Sequence, residues 1–104
     1  MTAVLNIAEP HAAIVRDILR TYLPDGARAF VFGSRAHGGA RKYSDLDLAL
    51  TWDHPLGLDL LGQMGEALSE SDLPYKVDLV DLATVEPAFR ERIMVGAIGF
   101  PPVK

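Results

Sequence analysis

Three carboxylates and a Gly-Ser pair are the residues of this chain whose types and spacing could do chemistry. Gly33-Ser34 is followed, after ten residues, by Asp45-Leu46-Asp47, and a third aspartate stands in Val77-Asp78-Leu79. Asp45 and Asp47 alternate with Leu46, Leu48 and Leu50. On a strand, both carboxylates therefore project from one face while the leucines enter the core. Like charges held that close repel, and a cation between them is the usual reason to keep them there. Mg²⁺ prefers oxygen donors and binds one or two carboxylates together with substrate phosphates. Three aspartates can hold two such ions roughly 3.5–4 Å apart, an arrangement that stabilises attacking and leaving oxygens in phosphoryl or nucleotidyl transfer. Gly33 lets backbone approach a phosphate closely, and Ser34 offers a hydroxyl and an amide at a helix N-terminus. Asp78 could also accept the proton of an attacking hydroxyl.

Between the Gly-Ser pair and the aspartates lies a cationic loop. Residues 35–44 carry Arg35, Arg41, Lys42 and His37 and no acid, within a chain of net charge −4. Such a loop suits a compact polyanion such as a nucleoside triphosphate, whose leaving pyrophosphate Arg35, Arg41 and Lys42 would neutralise. Each piece also has an ordinary structural reading. A lone Gly-Ser is a turn, a lone Asp-x-Asp is two solvated carboxylates, and a basic loop is a solvated surface. Asp78 alone could be an exposed strand residue, and Asp81 is expected to be one. His37 and His54 read as surface residues, since no paired histidine spacing exists. Trp52 and Phe89 read as core. The combination differs from its parts because separate positions independently indicate one site.

Periodicity and turn chemistry identify the elements that must position these groups. Residues 9–22 read as a helix: Pro10 suits its first turn, Ile14, Val15, Ile18, Leu19 and Tyr22 form one stripe, and Pro24-Asp25-Gly26 ends it. His11, near its start, reads as a surface residue. A strand over 28–32 stops at Gly33, and a short helical turn after Ser34 is broken by Gly38-Gly39. A second strand covers 46–52. An amphipathic helix over 58–69 follows, with Leu58, Leu61, Met64 and Leu68 at helical spacing. Pro74 precedes a third strand over 75–82. Thr84 then reads as an N-cap for a last helix carrying Phe89, Ile93 and Ala97, and 99–102 as a stop.

Connection lengths constrain how these elements meet. About a dozen residues join the first two strands, the lower limit for a parallel crossover, so antiparallel neighbours are expected. A whole helix separates strands two and three, which suits a parallel right-handed crossover. Parallel strands begin at the same edge. Asp78 is therefore expected beside Asp45 and Asp47, and all three beside the Gly-Ser turn.

Composition sets the outer bounds. A chain of 104 residues, 49% hydrophobic, is expected to fold as one domain spanning residues 1–104. Its acidic balance disfavours stable binding of a nucleic-acid backbone. No apolar run approaches the ~20 residues of a membrane span, and the N-terminal residues do not read as a secretion signal. With no cysteine, disulfides and thiolate metal sites are excluded, and a cytoplasmic location is expected.

The spacing of Gly33-Ser34, Asp45-Leu46-Asp47 and Asp78 resembles that of the DNA polymerase beta nucleotidyltransferase superfamily. The fuller string, Gly33-Ser34-Arg35-Ala36-His37-Gly38 with Ser44-Asp45-Leu46-Asp47-Leu48, resembles its minimal nucleotidyltransferase (MNT) branch over nearly the whole chain. His37 is a departure, standing where relatives often carry arginine. The resemblance implies an α/β (α+β) fold of order α-β-α-β-α-β-α, a small mixed sheet flanked by helices. It also implies ATP as substrate and two Mg²⁺ ions. Asp45, Asp47 and Asp78 would be the metal ligands, and Gly33 and Ser34 the triphosphate binders. Larger members add acceptor-binding domains. None is expected here, so the acceptor surface must come from another chain. MNT proteins of this size resemble antitoxins paired with a HEPN-domain RNase toxin, encoded beside them, onto whose tyrosine AMP is transferred. Two other readings remain at this stage: neutralisation of the partner by binding alone, and transfer to a small molecule such as an antibiotic. Both homo- and hetero-oligomers are compatible with the chain, with its first and last helices as candidate partner surfaces.

Overall fold

Residues 7–37 and 43–100 are described by the computed structural model. Helix α1 (Glu9–Tyr22) begins with Pro10 in its first turn and ends where Leu23 turns extended. Its stripe buries Ala12, Val15 and Leu19, an i, i+3, i+7 pattern that faces one side of a sheet. Strands β1 (Arg28–Phe32) and β2 (Leu46–Thr51) flank the short helix α2 (Ser34–His37). Helix α3 (Leu58–Ser69), strand β3 (Val77–Asp81), a single 3₁₀ turn (Leu82–Thr84), helix α4 (Pro87–Met94) and strand β4 (Ile98–Gly99) complete the order.

The sheet runs β3-β2-β1-β4. As expected from the connections, β1 and β2 are antiparallel, while β2 and β3 are parallel. β4 was not expected. Ile98, which the sequence pattern assigns to no element, and Gly99, read as the start of the terminal stop, pair antiparallel with Val31 and Phe30 and make a fourth strand. Two residues carry too little alternation to register as a strand, and only the free edge of β1 recruits them.

The central strand shows why the aspartates emerge where they do. Leu46, Leu48 and Leu50 are fully buried and pack with Val15, Leu19, Met64 and Leu68 under α1 and α3. The opposite face of the sheet holds a smaller cluster of Ala49, Leu82 and Ile93, against which Phe30, Phe32 and Val80 pack. With a side-chain period of two, Asp47 and Asp78 belong to this second face, on which Ala49 and Val80 lie.

Three expectations about the core are corrected. Leu58, placed on the α3 stripe, is 87% exposed at the first turn, ahead of the part of the helix that meets the sheet. Phe89, read as core, is 44% exposed, because the face beneath α4 buries little more than Ile93; the Arg92 guanidinium lies over its ring instead. Ala97 lies beyond the end of α4 at Met94. Trp52 is half-buried and donates its Nε1–H to the Asp25 carbonyl at 3.0 Å.

Candidate active site

Gly33 adopts φ +75°, a conformation that costs L-residues about 1–2 kcal/mol, and so turns the chain directly from β1 into α2. Space demands glycine as much as the dihedral does. A Cβ built at Gly33 would stand 2.5 Å from Asp47 Oδ2, so the bare backbone lies against this carboxylate. Ser34 is the first residue of α2, and the Ala36 amide donates to the Gly33 carbonyl at 3.0 Å.

Register brings the remaining groups together. Phe32 pairs with Asp47 across β1–β2, and Asp47 pairs with Asp78 across β2–β3. Asp45 immediately precedes β2 and is exposed. The Asp47 carboxyl holds its proton above the ordinary range, first through burial, then through the negative charges of Asp78 and of Asp45. Asp78 and Asp45 therefore lie close enough to Asp47 to act on it electrostatically. Lys76 lies on the same edge, its Nζ 3.4 Å from Asp78 Oδ1.

Among the described residues, no three His, Asp or Glu side chains enclose a metal ion as they stand. The donor set nonetheless fits one. Three oxygen-donating side chains share one end of the sheet, and their mutual repulsion is what a hard divalent cation would relieve. Gly33 adds a cradle that any side chain would fill.

Arg35 does not stand where the charge pattern suggested. Expected as a phosphate contact, its side chain turns inward and is 5% exposed. Its Nε and Nη2 donate to the Ser44 carbonyl at 3.1 and 2.8 Å, and its guanidinium carbon lies 3.8 Å from the centre of the Tyr75 ring. His11 meets the same ring edge-on at 5.4 Å, so it is packed inward rather than simply a surface residue. Arg41 and Lys42 lie outside the described residues, as do Gly38-Gly39 and the side chain of His37. His54 is exposed, as expected.

Asp81 also departs from its sequence reading. It is 4% exposed rather than open to solvent. Its Oδ2 accepts from the Leu56 amide at 2.8 Å and its Oδ1 from the Ala83 amide at 3.0 Å. The signal was available: Asp81 shares the parity of Val77 and Leu79, the core side of β3, whereas Asp78 has the opposite parity. No comparable signal marked Tyr75, whose contact with Arg35 joins residues 40 positions apart in sequence.

The sequence and the fold are shared with known proteins. Residues 15–98 match the family described as Polymerase beta, Nucleotidyltransferase. A relative from Haemophilus influenzae, "Probable protein adenylyltransferase MntA", is 48% identical over 91 residues, covering 88% of this chain and 79% of its own. A solved structure assigned to a minimal nucleotidyltransferase is 32% identical with TM-score 0.66, covering 86% of this chain and 88% of that one. The fold is also that of the MNT antitoxin complexed with a tri-AMPylated HEPN toxin of Shewanella oneidensis. That match has TM-score 0.69 at 21% identity and covers 88% of this chain and 70% of that one. A family match over most of the length, joined to a relative nearly half identical, leaves one conclusion: this chain belongs to the polymerase beta nucleotidyltransferase family.

Proposed function

We propose that this protein transfers AMP from ATP to a hydroxyl of a partner protein, a tyrosine of a HEPN-type RNase toxin, and so acts as an antitoxin. The observation that carries the chemistry is the in-register pairing of Asp47 with Asp78, with Gly33 packed on the Asp47 carboxylate. The choice of acceptor is supported by the relative named a protein adenylyltransferase and by the neighbour complexed with an AMPylated HEPN toxin.

In this reading Asp45, Asp47 and Asp78 hold two Mg²⁺ ions, which supply charge neutralisation at the phosphates when bound. The Gly33 backbone and Ser34 seat the triphosphate, and Arg41 and Lys42 neutralise pyrophosphate as it departs. The acceptor oxygen forms its new bond to the α-phosphorus as the α–β bridging P–O bond breaks. Asp78, the outermost of the paired strand carboxylates, takes the hydroxyl proton. No helix among the described residues is long and apolar enough to cross a membrane, and the cysteine-free sequence suits the reducing cytoplasm in which we place the protein.

Intact-mass spectrometry tests this directly. The neighbouring gene product is co-expressed with wild type and with the Asp45→Ala/Asp47→Ala double variant. A gain of one or more AMP masses with wild type alone is expected. An unmodified partner held in a stable complex by both proteins would instead mean inhibition by binding.

A further inference from the structure

Arg35, a cation of the Gly-Ser segment, is buried by the fold, and its contacts reach the other two motif segments. It follows Ser34 directly. Its fork ends on the Ser44 carbonyl, one residue before Asp45, and its plane rests on Tyr75, three residues before Asp78. These two contacts straddle the first hydrogen bond between β2 and β3, from the Leu46 amide to the Lys76 carbonyl at 2.8 Å. A guanidinium suits the place because two of its N–H groups can converge on one carbonyl oxygen while its face lies on an aromatic ring; an ammonium cannot do both.

We propose that Arg35 is a positioning residue: it fixes the approach of Asp45 and Asp78 to Asp47 and does not itself contact nucleotide phosphate. The inference rests on the reading of these aspartates as metal ligands, and it reassigns the nearest cation of the motif from substrate to scaffold. Groups that orient metal ligands from behind typically cost 10–100-fold in metal affinity when removed.

The test uses the purified full chain and Mn²⁺ alone, with free Mn²⁺ followed by electron paramagnetic resonance and amide exchange at Leu46 by NMR. Arg35→Met is expected to lose roughly tenfold in Mn²⁺ affinity. Its Leu46 amide is expected to exchange faster by a larger factor than amides further along β2. Affinity for Mg²⁺-ATP should fall by no more than the Mn²⁺ loss. Tyr75→Leu should show part of both effects, and Arg35→Lys should rescue neither. Unchanged Mn²⁺ binding with ATP binding lost would make Arg35 a phosphate contact and overturn the proposal. A uniform rise in exchange with Mn²⁺ binding intact would reduce it to a fold-stabilising residue and overturn it equally. If Arg35→Met does not fold, Arg35→Lys and Tyr75→Leu are read by the same two measurements. A wild type that binds no Mn²⁺ would count against the proposed metal ligands, and Leu46 exchange would then decide the positioning role alone.

Discussion

Asp47 and Asp78 are register partners on the parallel strands β2 and β3, so two carboxylates leave the sheet side by side on the same face. An uncharged pair would suit that edge better for folding alone. Burial and the charges of Asp78 and Asp45 raise the proton affinity of Asp47 in the folded state. The folded protein therefore binds this proton more tightly than the unfolded chain does. The associated stability is complete below the ordinary value of 3.8 and is lost as pH rises through the raised folded value. Asp47→Asn removes that loss. At pH 7 and without divalent cations the variant should melt above wild type, by roughly 1–3 °C because solvent screens a part-exposed carboxylate. The gain should vanish as pH falls below the ordinary value of 3.8, while transferase activity is lost at every pH. Calorimetry across this range checks the sign.

Gly33→Ala places a methyl group against Asp47 Oδ2 and forces an L-residue to φ +75°. Strain of this kind costs about 1–3 kcal/mol. The carboxylate must also move, so activity should fall more than stability does. A loss of at least about 100-fold in kcat/KM is expected, since displacing reacting groups by about an ångström has that effect. Steady-state kinetics beside urea denaturation separates the two losses.

Asp81 is expected to matter for stability alone. Its two oxygens receive the Leu56 and Ala83 amides, joining the loop before α3 to the end of β3. Asp81→Ala leaves the buried Leu56 amide without its acceptor, while the Ala83 amide, on an exposed residue, can turn to water; the variant should destabilise by about 1–3 kcal/mol, the penalty of one buried orphan group. Asp81→Asn keeps one acceptor oxygen and should recover about half. Chemical denaturation midpoints measure both.

The Tyr75 hydroxyl is buried with no hydrogen-bond partner among the described residues, although its ring carries Arg35 on one side and His11 at its edge. Tyr75→Phe keeps the ring and removes an unsatisfied polar atom. Its stability should equal or exceed that of wild type by up to about 1 kcal/mol, the reverse of the usual cost of a buried truncation. A lower melting temperature would show that the hydroxyl has a partner.

Much of the fold was legible in the chain because local patterns carried it. Pro10 and the stripe through Val15 and Leu19 marked α1, and the alternation from Asp45 to Leu50 marked β2. Loop length alone separated the antiparallel β1–β2 pair from the parallel β2–β3 pair. The same reasoning brought Asp78 to Asp47, since parallel strands starting at one edge fix which residues align. β4 escaped because two residues have no period, and Leu58 was misplaced because helical spacing says nothing about where a neighbouring sheet ends.

By itself, then, the sequence determined which groups could do chemistry here: three aspartates, a glycine turn and the strands that hold them at one edge. Whether a cation faces substrate or core was decided only by tertiary structure. Arg35 looked like every other cation of its loop, yet it lies beneath the site because Ser44 and Tyr75 supply a carbonyl and an aromatic face at once. The fate of Asp81 was likewise decided by Leu56, 25 residues earlier in the chain. Side-chain charge is local, but the partner that makes burying it favourable comes from segments distant in sequence, and only folding brings them together.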